Sequence, residues 1–270
     1  ENYSAGFLTT VLAHEMGHAY GLPHSSGPYS ATYDSEWDVM SDTWLCSYST
    51  AYGCAAEGLI SYNKNQLGWI PTARRYTSLP GSSRLITIER LNEIPSNPNS
   101  YLMAKVNIPG VSSYYTVEVR DNVTSVSNGY ADLNEYDDNI PSNRYDKSSS
   151  PNAPVVVIHS VDPSRNRPAN VVDQTMNNDP NDEGAMWRVG EEFLDAPNAI
   201  SITVVQASGN GFQVRIRNGN APNNSISSPV VVGALPFSFD EDTRPMDTSS
   251  GDALIPCAGN IQGLGTVWFQ

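Results

Sequence analysis

Basic residues are scarce in this chain: 15 Lys and Arg stand against 29 Asp and Glu, a formal net charge of −14. Nucleic acid and anionic membrane surfaces both require a cationic face, so neither is expected as the main partner. No run approaches 18 consecutive apolar residues, which excludes a spanning helix. Charged residues make up only 16% of the 270 positions, while 39% are hydrophobic, enough to build a core and to argue against wholesale disorder. Length alone allows one large domain or two ordinary ones. Cysteine is limited to three residues and histidine to four, so their placement carries more information than their number.

Cys46 and Cys54 lie eight positions apart in a Tyr-, Ser- and Gly-rich stretch, a spacing compatible with a small disulfide loop. Three reduced thiols in a cytosolic protein are the alternative. Cys257 is left over, either a free thiol or one whose partner lies outside this sequence. Low Lys content and sequons at Asn2, Asn122 and Asn223 favour an extracellular, glycosylated protein.

Residues 4–21 read as a helix, capped by Ser4 and stopped by Gly21 and Pro23. Residues 25–56 lack periodicity and read as a long ordered loop, and a second helix is expected around 55–67. From about Thr77 the pattern turns to period two. Strands are expected at Leu85–Arg90, Tyr101–Val106, Tyr114–Arg120, Val155–Val161, Ile200–Gln206 and Phe212–Arg217, the last two joined by a glycine-containing hairpin turn. Residues 121–153 and 163–195 read as polar, acidic loops. Residues 219–230 read as a linker, and 231–270 as a partial β unit.

The chemistry concentrates in residues 14–24, His-Glu-Met-Gly-His-Ala-Tyr-Gly-Leu-Pro-His. His14 and His18, four apart on a helix, project from one face and can share a metal ion. Glu15 reaches the same region without being forced to bind, and can take a proton from an activated water. Gly21 lets the chain turn so that His24 returns as a third nitrogen. Three neutral imidazoles leave the fourth position of a tetrahedral Zn²⁺ open, as in catalytic rather than structural sites. With Gly21 and His24 added to the two-histidine core, coincidence is rarer than about one in 10⁵, and the alternative of a helix with incidental surface histidines does not account for the clustering.

This segment resembles the long zinc signature of the metzincin metallopeptidases. Trp37-Asp38-Val39-Met40-Ser41-Asp42 is similar to the family's Met-turn, with Met40 as structural support beneath the metal. The form Asp-Val-Met-Ser, together with Lys64 and Leu67-Gly68-Trp69, is closest to the gametolysin-like and immune-inhibitor-A-like secreted enzymes. The latter branch usually has Asp where this chain has His24, which favours the gametolysin-like side. Asp42 stands where astacin-like enzymes carry a further Tyr ligand, so no such Tyr is assigned.

The resemblance implies an α+β chain: the C-terminal part of a catalytic domain over 1–76, with zinc helix, Met-turn and C-terminal helix, then a β-rich, sandwich-like domain over 77–218. It implies a secreted zinc endopeptidase acting on extracellular proteins through a zinc-activated water, with His14, His18 and His24 as ligands and Glu15 as general base. A glycan- or protein-binding β module carrying a vestigial protease site is the alternative. The family's sheet and helix ahead of the zinc helix have no counterpart here. An N-terminal segment or separate chain is therefore expected to complete the catalytic domain, and residues 1–270 alone to be weakly active or inactive.

Two further clusters are rich in acidic side chains. Asn177–Gly184 is rich in oxygen ligands, and Asp179, Asp182 and Glu183, with Glu191 or Glu192 nearby, are candidate Ca²⁺ ligands; Asp132–Asp138 is a second candidate. His159, within an apolar strand, is expected to be a buried or edge-strand bystander.

Overall fold

The computed structural model describes residues 5–42, 47–49, 53–55, 58–92, 96–120, 154–219, 232, 254–255 and 261–262. The fold is mixed α+β, rich in strands and poor in helix, and its larger part is two β-sheets. Cys46, Cys257, the sequons, the 121–153 segment and Asp132–Asp138 lie outside the described residues, as does the side chain of Cys54.

Helix α1 spans Ala5–Ala19 and a short hairpin, β1 (Ser47–Ser49) with β2 (Gly53–Ala55), lies beside it. Helix α2 is only Ser61–Gln66, shorter than the 55–67 expected, and a 3₁₀ turn at Thr72–Arg74 leads into β3 (Arg75–Thr77). The strands that follow are β4 (Ser82–Glu89), β5 (Met103–Asn107), β6 (Tyr114–Arg120), β7 (Val155–Val161), β8 (Ala169–Val171), β9 (Glu192–Asp195), β10 (Ile200–Ser208) and β11 (Gly211–Asn218). Two short paired strands, β12 (Leu254–Ile255) and β13 (Ile261–Gln262), fall in the expected C-terminal β unit.

Each of the six expected strands is present, with ends shifted by up to three residues. The polar 163–195 segment differs from expectation: it contributes β8 and β9. Both are short edge strands of three and four residues, too brief for an alternating apolar pattern to be visible. In the expected hairpin, Gly209 turns at φ +57, and Gly211 presses on β4 so closely that a Cβ would meet the Ile88 carbonyl oxygen at 1.9 Å.

One sheet has order β3-β5-β6-β7-β8 and the other β4-β11-β10-β9, antiparallel except for the β3–β5 pair. Alternation along the central strands of the first sheet makes two cores. Val117, Val119, Val156 and Ile158 face the second sheet and pack on Ile86, Ile88, Ile202, Val214 and Ile216. The other parity, Val155, Val157 and Val161, meets Trp37, Ile60 and Tyr62 from the segment between α1 and β3. The five-stranded sheet is thus buried on both faces, and it carries the histidine-rich segment on one of them.

That second core contains charge. Glu118 and Arg120, both fully buried, form an ion pair at 3.4 Å on the face toward α2. The Glu118 carboxylate accepts from the Ser61 amide at 2.5 Å, at the start of α2. The Arg120 guanidinium donates to the carbonyls of Trp37, Gly58 and Leu59. Apart from the ion pair itself, these bonds go to backbone, so the pair fastens two loops to one strand.

His159, paired across the strands with Thr116, is 1% exposed, and neither ring nitrogen has a hydrogen-bond partner. Burial, reinforced by the nearby Arg120 charge, drives its pKa down to about 3. The unfolded chain therefore binds a proton between pH 6.5 and 3 where the folded chain does not. The neutral-His contribution is complete above pH 6.5 and is lost as pH falls through that window. Replacing His159 with Leu is expected to flatten the acid side of the stability profile, sparing about 2–3 kcal/mol at pH 4.5. Thermal melts from pH 7 to 4.5 decide it, and parallel declines in parent and variant would count against the assignment.

Candidate metal centre

Helix α1 places His14 and His18 one turn apart, and the chain then reverses. Gly21 adopts φ +85, with its amide bonded to the His18 carbonyl and the Leu22 amide to the Gly17 carbonyl. The reversed chain is held from outside the helix. The Ser25 amide donates to the Met40 carbonyl, and Ser26 joins the free edge of β8 through bonds to Ala169 and Val171. His24 is therefore fixed from two sides, by the Met40 loop and by the sheet.

The three Nε2 atoms converge at 3.0, 3.0 and 3.1 Å. The ring planes of His14 and His18 stand at 88°, and those of His18 and His24 at 74°. The Nδ1 atoms of His14 and His18 face the carbonyls of Val39 at 2.7 Å and Leu22 at 2.9 Å. A carbonyl only accepts, so each Nδ1 carries the proton and each facing Nε2 is a bare lone pair. Lone pairs pointed at one another at 3 Å repel unless a cation lies between them. Zinc with Zn–N bonds of 2.0–2.1 Å in tetrahedral geometry sets its nitrogens about 3.3–3.4 Å apart, a few tenths wider than this triangle. The donor set, its protonation and its spacing fit such an ion. Among the described residues, this is the group of His, Cys, Asp and Glu side chains whose ligand atoms converge in this way.

His24 is held below its usual pKa, first by burial and then by the charges of His18, His14 and Arg167, with Glu15 opposing. Glu15, next to His14 in the chain, is not a member of the convergent group. Glu15 itself is exposed.

Met40 is fully buried beneath the helix. A Cβ on Gly17, the residue before His18, would meet the Met40 sulfur at 2.2 Å, so this mid-helix glycine exists to let the thioether come close. Asp38, also buried, organises the loop: its carboxylate accepts from Ser25 Oγ and Asn63 Nδ2, both at 2.6 Å, and from the Ile60 amide at 3.3 Å. Burial pushes its pKa up to about 6, against the pull of these bonds.

Tyr33 was not singled out from the sequence. It takes φ +58, is half-exposed, and lays its ring 5.3 Å from that of His24 and 6.0 Å from that of His14. Nothing in a Ser/Tyr-rich loop marks one tyrosine above another. Gly17 and Asp38 did leave a trace, since each sits inside a quoted motif and each is costly without a purpose.

The candidate calcium residues are placed differently. Asp182 caps the 3₁₀ turn at Glu183–Ala185 through the Gly184 amide and accepts from Asn177 Nδ2. Asp179 accepts from the Asn181 amide. Asn181 then accepts from the Glu36 amide and donates to the Asp34 carbonyl, while the Pro180 carbonyl accepts from Trp37 Nε1. This loop props the Met40 loop, and among the described residues Asp179, Asp182 and Glu183 do not join a convergent group of three or more His, Cys, Asp or Glu ligands.

No family model matches this chain, and neither curated proteins nor solved structures yield a match.

Proposed function

We propose that this protein is a zinc-dependent endopeptidase of the metzincin type, nearest to the gametolysin-like secreted enzymes. The observation that carries this reading is the triad: three lone pairs brought to one point, two of them set by carbonyls behind the rings. His14, His18 and His24 would hold the ion, which supplies Lewis acidity, acidifying a water and polarising a peptide carbonyl. Glu15, exposed and beside the triad, accepts the water proton on its carboxylate and returns it to the leaving amine. Met40 supports the ligands from below and takes no part in proton transfer.

An extracellular setting is supported by the sparse Lys content and the sequons, and the −14 charge accords with it. A polypeptide partner is supported by α1 itself. Leu12, Met16 and Tyr20, at i, i+4 and i+8, are 53, 56 and 64% exposed, an apolar stripe on the helix that carries the ligands. A segment covering that stripe would complete the catalytic unit.

The test is zinc stoichiometry together with hydrolysis of a denatured protein. One zinc per chain and cleavage abolished by chelator and restored by zinc are expected, with activity rising when the covering polypeptide is supplied. Failure to retain zinc, or cleavage indifferent to chelator, would overturn the assignment.

A further inference from the structure

The loop that follows His24 and the β-sheets enclose an open groove of about 600 Å³. Ser30 forms one side, Tyr115 and Phe193 line it from the sheets, and Arg165 and Arg167 border it. In a chain carrying −14, two guanidiniums on one groove make a local cationic island.

Its polar groups are unequally available. Asp173, the acidic residue of the lining, is spent: Oδ1 accepts from the Thr175 amide and hydroxyl, and Oδ2 from the Tyr29 hydroxyl. The Tyr115 hydroxyl is committed to Asp195. Arg167 donates to the carbonyls of Ser30 and Ala31, which fastens the loop leading to Tyr33 while leaving its charge in place. Arg165 differs. Its side chain is 43% exposed and is paired through Nε with Asp162 at 3.5 Å. Asp162 is in turn satisfied by the Ser164 amide and hydroxyl, at 2.9 and 2.7 Å. An exposed pair of this kind contributes little to stability, so a ligand carboxylate can replace Asp162 at small cost. The unspent capacity of the groove is therefore a donor, flanked by aromatic surface.

We infer that this groove is a substrate subsite that takes an acidic side chain of a bound peptide, held by the guanidinium of Arg165. Its aromatic lining suits the stem of a Glu, and its place next to the loop bearing Tyr33 sets it to one side of the scissile bond. The inference rests on the peptidase reading for its role in hydrolysis, and on the groove alone for binding.

The experiment uses matched peptides carrying Glu, Gln or Lys at successive positions, with the zinc-loaded full chain. Cleavage is followed as kcat and KM, and equilibrium binding is measured by calorimetry on the Glu15→Gln protein. At one position the Glu peptide is expected to be favoured over Gln by about tenfold, the size of one charge-assisted contact. The preference should reside in KM, weaken with added salt, vanish in Arg165→Gln and turn toward Lys in Arg165→Glu. Equal binding of the Glu and Gln peptides at every position, no binding of either, or a preference surviving Arg165→Gln would overturn the subsite. A Glu preference in binding without any hydrolysis would leave the subsite standing and remove the peptidase.

Discussion

Glu15→Gln is expected to lower kcat for peptide hydrolysis by about 10²–10⁴-fold while leaving one zinc per chain. The two parts of the prediction rest on different features of α1. Metal retention follows because the convergent group is His14, His18 and His24, with Glu15 outside it. The orientation of two of those rings depends on the Val39 and Leu22 carbonyls rather than on any acid. Loss of turnover follows because Gln keeps the shape of the side chain but cannot take a proton. KM should move little, since nothing in the substrate's ground state needs that proton removed. Zinc analysis alongside steady-state kinetics separates the outcomes. A variant that turns over at the parental rate would take the general-base role away from Glu15, and one that loses zinc would make it a ligand.

Arg120→Ala is expected to destabilise the fold by about 3–5 kcal/mol, the usual cost of stripping one partner from a buried charge pair. Glu118 would be left fully buried without its cationic partner, held by a single amide. The carbonyls of Trp37, Gly58 and Leu59 would lose their donor, that of Trp37 in a buried position. Replacing both residues, with Glu118→Gln and Arg120→Met, should cost less than Arg120→Ala alone, because no charge is then abandoned. Urea unfolding of the three proteins measures this. A loss below about 1 kcal/mol for Arg120→Ala would mean that water reaches the pair and that the second core is looser than its packing indicates.

Much of this architecture was legible in the chain and some was not, for identifiable reasons. The ligand triad was readable because helical geometry turns a four-residue spacing into proximity, and Gly21 announces the reversal that brings His24 back. Strands β4, β6, β7, β10 and β11 were readable because long alternating runs have few other solutions. Strands β8 and β9 were hidden, since at an edge three or four residues need no pattern of their own. The burial of Glu118 and Arg120 was not legible. Charges alternating with valine normally mark a solvent face, and only the fold reveals that α2 and the Trp37 loop lie against that face. The oxygen-rich 177–184 loop was legible as a cluster of acceptors. Asp179 and Asp182 accept from donors within the loop itself, and what the sequence could not reveal is that Asn181 bonds to residues 34 and 36, about 145 positions away.

The Trp37–Arg120 bond spans 83 residues, and it has a consequence for when the site comes into being. His14 and His18 are neighbours as soon as α1 forms, yet the carbonyl that orients His14 belongs to Val39. That carbonyl sits in a loop fastened by Arg120 on β6, while His24 leans on β8. A nascent chain can offer two histidines early, but the full three-nitrogen chelate waits for long-range pairing late in folding. On the proposed zinc reading, metal capture would then report completion of the sheet. A chain stalled before β8 docks would pass through a zinc-containing compartment without acquiring the ion that would make it a hydrolase.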